Sequence, residues 1–84
     1  MPVTRVGPNP FHNTIEVGLY LPESKKMVIQ LIDLYGRRVA QESLQASKGF
    51  STYVMSNTSK LMPGTYLLTV TVDTQLYSFK VLKQ

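Results

Sequence analysis

The sequence predicts an all-β domain, an immunoglobulin-like β-sandwich of about seven antiparallel strands. Three observations predict this class. Apolar and polar residues alternate along most of the chain, β-branched and aromatic residues dominate the alternating runs, and Pro, Gly, Asn and Asp separate the runs at regular spacing. Helical periodicity is absent. With 84 residues the chain forms a single domain, residues 1–84.

The segment Met27 to Ile32 predicts the central strand of the fold. Every second residue from Met27 to Leu31 is apolar and the residues between them are nearly all apolar, which indicates cover on both faces. Asp33-Leu34-Tyr35-Gly36 then predicts a turn, because Asp bonds its own backbone and Gly accepts the positive φ that tight turns often require. Weaker alternation from Arg37 to Leu44 completes a β-hairpin.

The residues before the central strand predict two further strands. Val3 to Gly7 forms a short strand that ends at the corner Gly7-Pro8-Asn9-Pro10, where the prolines lack backbone donors. Phe11 follows this corner, and we expect it to fill one end of the core. Ile15 to Leu21 alternates clearly, and we expect this strand to pair antiparallel with the central strand across the polar turn at Pro22 to Lys25.

After the central hairpin, the sequence predicts a polar connection and a strand with an ambiguous pattern. Gln45 to Gly49 is polar and allows at most one helical turn. Phe50 to Ser56 alternates in a way that suits partial cover on both faces, and Asn57 to Lys60 ends it. This segment is therefore expected to lie where neither face is fully enclosed.

The last part of the chain predicts two strands and a tyrosine corner. Pro63 and Gly64 are the preferred middle residues of a type II turn, which leads into a strand from Tyr66 to Val72. We expect the Tyr66 hydroxyl to bond the backbone of the preceding loop. Asp73-Thr74 turns the chain into a closing strand, Leu76 to Lys83.

Composition restricts the class of protein. The 43% hydrophobic content excludes intrinsic disorder, and no apolar run approaches the roughly 20 residues of a membrane helix. Because the N-terminus lacks a signal-peptide pattern, we expect either a cytosolic protein or a piece excised from a longer exported one. The net charge of +4 is spread singly or in pairs, so we expect no nucleic-acid partner. Cysteine is absent, which excludes disulfides and thiol chemistry.

No local motif points to catalysis or to a bound metal. His12 is the one histidine and is expected in a surface loop, and the five carboxylates lack the spacing of metal ligands. The glycines sit singly, so there is no phosphate-binding loop. We therefore expect no enzymatic activity, no cofactor and no metal. Most of the tyrosines are expected in core or half-buried positions. The glycosylation pattern Asn57-Thr58-Ser59 is too common by chance to carry weight.

Four short motifs give the chain a resemblance to a known family. They are Pro8-Asn9-Pro10-Phe11, Asp33-Leu34-Tyr35-Gly36-Arg37, Leu61-Met62-Pro63-Gly64-Thr65-Tyr66 and Lys80-Val81-Leu82-Lys83. In their order, spacing and position they resemble the type A C-terminal sorting domain of proteins exported by the type IX secretion system of Bacteroidetes. The resemblance extends from Val6 to the end, and Gln84 after the usual basic end is a small departure.

The resemblance implies a sandwich domain that ends an exported cargo protein and directs it through the periplasm and across the outer membrane. The location it implies is the outer membrane, cell surface or extracellular space, and its implied partners are the outer-membrane translocon and a sortase-like peptidase that commonly removes the domain. It also implies that the chain is excised from a longer protein, with Met1 as an added start. We expect the secretion machinery to recognise the segment Lys80 to Lys83. In this segment Lys80, Leu82 and Lys83 are expected to point outward on an edge strand that pairs with a receptor strand.

The sequence is also consistent with other interpretations. Leu76 to Lys83 is equally consistent with a plain last strand whose lysines block edge aggregation. A different class of function is a non-catalytic adhesive or carbohydrate-binding module whose tyrosines or loops contact glycans, and a third is a structural spacer domain. Exposed strand edges also allow a dimer.

Overall fold

The computed structural model describes residues 2–56 and 58–84 and contains two β-sheets built from antiparallel pairs of strands. Seven strands are present in this part of the chain, with no helix. They are β1 (Val3–Gly7), β2 (Ile15–Leu21), β3 (Lys25–Ile32), β4 (Arg38–Ala46), β5 (Gly49–Met55), β6 (Gly64–Val72) and β7 (Gln75–Lys83). One sheet has the order β1-β2-β5 and the other β4-β3-β6-β7. The predicted immunoglobulin-like sandwich is therefore confirmed.

The core lies between the two sheets and is filled by alternate residues of each strand. On β3, Met27, Ile29 and Leu31 are completely buried, while the residues between them are half-buried on the outer face. The predicted central strand and its hairpin with β4 are confirmed, because β3 pairs with β4 on one side and β6 on the other. Phe11 is also completely buried, so the prediction that it fills one end of the core is confirmed.

The expected pairing of β2 with the central strand is wrong. β2 pairs with β1 and β5 in one sheet, whereas β3 pairs with β4 and β6 in the other. The residues Pro22 to Ser24 carry the chain from one sheet to the other. Alternation shows that each strand has one buried face. Two such strands can pack these faces against each other from opposite sheets of a sandwich, or lie side by side in one sheet, and alternation does not distinguish the two arrangements.

Two connections also differ from the predictions. The polar stretch after Leu44 forms no helical turn, because β4 continues to Ala46 and β5 begins at Gly49. Gly64 has a φ of +146° and already pairs with Lys83 as the first residue of β6. The third residue of a type II turn needs a φ near +80°, so the predicted turn type is wrong. Strand pairing determines the backbone of Gly64 instead.

Strand direction brings certain loops together. β3 and β7 end at the same end of the large sheet at which β4 and β6 begin, because neighbouring strands are antiparallel. β1 runs towards that end as well, since Phe11, which follows it, forms a bridge with Lys83. The opposite end carries Pro2, whose carbonyl accepts a hydrogen bond from the Tyr20 amide at 2.9 Å.

Candidate recognition site

The four sequence motifs, which span residues 8 to 83, converge at one end of the sandwich. We call this the motif end, and it consists of the corner Pro8–Phe11, the turn Asp33–Arg37 with Arg38 at the start of β4, the loop Thr58–Thr65 and the segment Lys80–Lys83. Shallow grooves line the boundaries between these segments. The opposite end, which we call the far end, consists of Pro2, the turns Pro22–Ser24, Ser47–Lys48 and Asp73–Thr74, and the strand residues next to these turns. The strand residues are Tyr20, Leu21, Lys25, Lys26, Gly49 and Phe50.

The Asp33 carboxylate holds the first turn of the motif end in one shape. Its Oδ1 accepts the backbone N–H groups of Tyr35 and Arg37, each at 2.9 Å, and its Oδ2 accepts the Arg37 Nε at 2.8 Å. These bonds, led by the one from the Arg37 backbone, lower the pKa of Asp33 below its usual value of 3.8. Gly36 has a φ of +81°, which confirms the predicted positive φ. The Arg37 guanidinium lies 5.3 Å from the centre of the Tyr35 ring.

Tyr66 fixes the second loop of the motif end. Its ring is buried, and its hydroxyl donates to the backbone carbonyl of Met62 at 2.6 Å. The predicted tyrosine corner is therefore confirmed. Thr58, at the start of the same loop, is also buried and donates from Oγ1 to the carbonyl of Asn13 at 2.7 Å. Two side chains thus tie this loop to the body of the domain.

Asn9 clamps the C-terminal segment onto the domain. Its Oδ1 accepts the backbone N–H of Leu82 at 2.9 Å, and its Nδ2 donates to the carbonyl of Lys80 at 3.2 Å. The Phe11 amide donates to the Leu82 carbonyl at 2.8 Å, and Phe11 in turn accepts the Gln84 amide at 2.9 Å. The corner after β1 therefore replaces a neighbouring strand along the last part of β7.

The outer edge of β7 is open along its first part. In an antiparallel strand, alternate residues direct both backbone groups to the same side, so Leu76, Ser78, Lys80 and Leu82 point theirs away from β6. The groups of Leu82 and the carbonyl of Lys80 are occupied by the corner after β1. Those of Leu76 and Ser78 have no partner within residues 2–56 and 58–84. Pairing of a further strand with these backbone groups leaves the corner's hydrogen bonds in place.

The predicted recognition segment divides into two faces. Lys80 and Leu82 are exposed, whereas Val81 and Lys83 are only 1% and 7% exposed. The expectation that Lys83 points outward is wrong. It follows the strand alternation and lies on the inner side with Val81, and its Nζ donates to the Gln84 carbonyl at 2.9 Å. A lysine stem packs readily against apolar groups while its ammonium stays hydrogen-bonded, which the sequence alone does not reveal.

Three exposed apolar side chains of the motif end were missed as site residues. Leu34, Tyr35 and Met62, which we call the apolar tips, are 77%, 85% and 78% exposed. A groove of about 210 Å³ runs between the turn that carries Tyr35 and the loop that carries Met62. A second groove, of about 610 Å³, lies on the outer face beside Leu34 and Lys80. The sequence feature that could have identified them is the presence of large apolar residues inside turn motifs, where core packing does not require such residues.

The tyrosines and the polar candidates have mixed outcomes. Tyr53, Tyr66 and Tyr77 are buried or half-buried as predicted, whereas Tyr20 and Tyr35 are exposed. His12 lies in an exposed loop, which confirms its predicted position. Asn57 of the glycosylation pattern lies outside the described residues.

Neither a metal centre nor a membrane helix is found in the part of the chain that the structure describes. No three His, Asp or Glu side chains of residues 2–56 and 58–84 lie close enough together to hold a metal ion. The same residues contain no helix long and apolar enough to span a membrane.

Comparison with solved structures supports the fold. A mutant β-glucosidase from Listeria innocua, solved in complex with laminaribiose, is similar with a TM-score of 0.60 and 15% sequence identity. The match covers 98% of this chain but only 15% of that protein, so it shows a shared sandwich fold alone. No curated protein sequence matches this chain.

Comparison with protein families identifies the family of this chain. The model of the secretion system C-terminal sorting domain matches residues 5–84, and this confirms the resemblance found in the sequence. A C-terminal signal of this kind directs type IX secretion: it interacts with the secretion machinery and leads to export across the outer membrane. Such domains are generally non-catalytic. The chain belongs to the family of secretion system C-terminal sorting domains.

Proposed function

We propose that the motif end is the surface that the secretion machinery recognises, and that the cargo protein is joined at the far end, before Pro2. The observation that carries this proposal is the convergence of the four motifs on one end. The apolar tips add to it, because they are exposed and make no contribution to the core. Exposed Tyr and Met side chains beside an Arg are typical of binding surfaces.

The separation of the two ends suits a sorting signal. The domain measures 36 × 21 × 19 Å, and β1 runs from Pro2 at the far end towards the motif end. A cargo domain that precedes Pro2 leaves the sandwich at the end opposite the motifs. A receptor can therefore hold the motif end without colliding with the cargo.

The open part of β7 offers a second element of recognition. A receptor strand that pairs along Leu76 to Ser78 gains main-chain hydrogen bonds, while Lys80 and Leu82 supply side-chain contacts. The same edge is the place where two copies of the domain would form a dimer. The competing interpretation is that the lysine merely protects an edge strand from aggregation.

We extend the proposal to the finer steps of the pathway. The outer-membrane translocon holds the motif end, and a sortase-like peptidase cuts the chain before Pro2, where the linker is furthest from the bound surface. The cargo then remains at the cell surface or enters the extracellular space. The 84 residues are, in this proposal, the C-terminal domain of a longer exported protein.

Export of a fused reporter tests the proposal. Residues 1–84 are joined to the C-terminus of a periplasmic reporter in a Bacteroidetes host, and the reporter is measured in the periplasm and outside the cell. We expect export with the unchanged domain and loss of export with Tyr35→Ser combined with Met62→Ser.

The matched control removes two exposed apolar side chains from the far end, Tyr20→Ser combined with Phe50→Ser, and we expect it to be exported normally. Circular dichroism of the purified domains checks that both variants fold. Normal export of the motif-end variant, or retention of the unchanged fusion in the periplasm, contradicts the proposal.

One observation favours a second candidate function. Tyr20 and Phe50 lie opposite each other on β2 and β5 with ring centres 4.7 Å apart, and Phe50 is 82% exposed. An exposed aromatic pair is suited to stacking against a sugar ring, as an adhesive or carbohydrate-binding module requires. Binding of a defined glycan on an array, lost in the Tyr20→Ser and Phe50→Ser variant, would support that function.

A further inference from the structure

The net charge of the domain is located entirely at the motif end. Five cationic side chains and one carboxylate lie there, and elsewhere four cations are balanced by four carboxylates, which together give the net charge of +4. The motif-end groups are Arg37, Arg38, Lys60, Lys80, Lys83 and Asp33, and the others are Arg5, Lys25, Lys26, Lys48, Glu16, Glu23, Glu42 and Asp73.

Three of the motif-end cations are free to meet a partner. Arg38, Lys60 and Lys80 are exposed, and none forms an ion pair with a described residue. By contrast, Arg37 is paired with Asp33 at 2.8 Å, and the pairs Arg5–Glu16 and Lys25–Asp73 lie outside the motif end. Lys80 lies beside Leu34 at the second groove, and Arg38 and Lys60 are near in the chain to the turn that carries Tyr35 and the loop that carries Met62.

We infer that the receptor for the motif end is an acidic protein surface, with carboxylates placed around apolar pockets that receive Leu34, Tyr35 and Met62. This inference rests on the proposed function and specifies the chemistry of the partner. Positive charge around an apolar centre is complementary to a negative rim around apolar pockets, and such complementarity increases both association rate and selectivity.

The rigidity of the motif end favours a protein partner over an anionic lipid surface. The hydrogen bonds that the Asp33 carboxylate accepts and the Tyr66 hydroxyl donates fix the two segments that carry the tips, and a groove of about 210 Å³ separates these segments. A surface of fixed shape is suited to a partner with a complementary shape. A fluid lipid surface adapts to a protein surface of any shape, so binding to it requires only positive charge and exposed apolar groups.

Charge reversal at each end tests the inference in the reporter fusion. We expect Arg38→Glu combined with Lys80→Glu to lower export at least about tenfold, because association with an acidic receptor is both slowed and weakened. Lys26→Glu combined with Lys48→Glu changes the net charge equally at exposed far-end positions and should leave export unchanged. Arg38→Lys combined with Lys80→Arg keeps the charge and should be exported normally, which separates charge from side-chain shape.

A binding assay identifies the class of partner. The purified fusion is sedimented with outer-membrane vesicles of the secreting host, from about 50 to about 500 mM NaCl. We expect binding to fall steeply with salt and to disappear after the vesicles are treated with proteinase K. Protein-free vesicles of phosphatidylglycerol are expected not to bind the fusion.

The outcomes separate this inference from the proposed function. If the Tyr35→Ser and Met62→Ser variant loses export while the charge-reversed motif-end variant is exported normally, the acidic receptor is ruled out and the recognition surface stands. If both variants are exported normally, the recognition surface itself is ruled out. Salt-independent binding, or binding that survives protease or occurs on the lipid vesicles, also overturns the acidic protein receptor.

Discussion

Both ends of the sandwich expose aromatic side chains, Tyr35 at the motif end and Phe50 at the far end, but the two ends are held together differently. At the motif end, side chains bond the backbone of every segment: Asp33 in its turn, Tyr66 at the loop and Asn9 at the C-terminal strand. Within the described residues, the far end has backbone bonds from Asp73 to Lys26 and from Tyr20 to Pro2, and an ion pair of 3.7 Å between Lys25 and Asp73.

This difference indicates which exposed surface is organised for binding. An exposed ring alone is common on soluble domains and carries little information. A surface whose loops are fixed by internal hydrogen bonds, and which also holds the unpaired charge, loses less conformational entropy when it binds a partner. The motif end has these properties, so equivalent changes at the two ends should affect stability alike but export differently.

The largest effect is expected from the core side chains that close each end. Phe11→Ala at the motif end should lower the free energy of unfolding by about 3–5 kcal/mol, and Leu21→Ala at the far end by about 2–5 kcal/mol. Both side chains are almost completely buried. Urea unfolding followed by circular dichroism measures both values. A loss below about 1 kcal/mol for Phe11→Ala would contradict its role as the core plug of the motif end.

The tyrosine corner should give the next largest effect. Tyr66→Phe removes the hydroxyl that bonds Met62 and leaves a part-buried carbonyl without its partner, so we expect a loss of about 1–3 kcal/mol in unfolding free energy. Tyr77→Phe is the control, because that half-buried tyrosine makes no hydrogen bond with a described residue, and it should change the unfolding free energy by less than about 0.5 kcal/mol. Equal losses in the same urea titrations would refute the special role of Tyr66.

Two glycines provide a matched pair for the two ends. Gly36 at the motif end and Gly49 near the far end have φ values of +81° and +93°, and no atom obstructs a Cβ at either position. Alanine at each should therefore cost a similar amount, about 1–2 kcal/mol, from backbone strain alone. We expect only Gly36→Ala to reduce reporter export, because it alters the turn that carries Tyr35. Equal export of the two variants would remove the functional difference between the ends.

The smallest effect concerns the pH dependence of the motif-end turn. Because the folded-state pKa of Asp33 is lowered, its ionised carboxylate stabilises the fold above the ordinary value of 3.8. That stabilisation is lost as the pH falls through the lower, folded-state pKa. The melting temperature of the unchanged domain should exceed that of Asp33→Asn at pH 7, and the gap should narrow in acid. A constant gap down to about pH 2 would show that the turn does not depend on the charge of Asp33.

Local patterns in the sequence predicted those features that depend on neighbouring residues. The hairpin around Asp33 and Gly36 follows from turn chemistry, and the burial of Phe11 follows from a large ring after a rigid corner. Features that depend on the partner of a strand were less predictable. The placement of β2 in the other sheet is one example, since alternation defines a buried face and not the neighbour that covers it.

The candidate site was predictable as a set of motifs but not as a surface. The four motifs were found in the sequence, yet their convergence depends on strand order, and the clamp by Asn9 depends on a contact between residues 73 apart along the chain. The inward position of Lys83 and the exposure of Leu34 and Met62 run against ordinary burial preferences. Only the structure reveals them.

The most direct test of the central claim is competition for export in cells. The free 84-residue domain is directed to the periplasm, and export of a reporter that carries the unchanged domain is measured. We predict that the unchanged domain and the Tyr20→Ser with Phe50→Ser variant inhibit export equally, whereas the Tyr35→Ser with Met62→Ser variant does not inhibit it. Inhibition of export by the Tyr35→Ser with Met62→Ser variant would contradict recognition through the motif end. Failure of the Tyr20→Ser with Phe50→Ser variant to inhibit export, while the unchanged domain does inhibit it, would also contradict it.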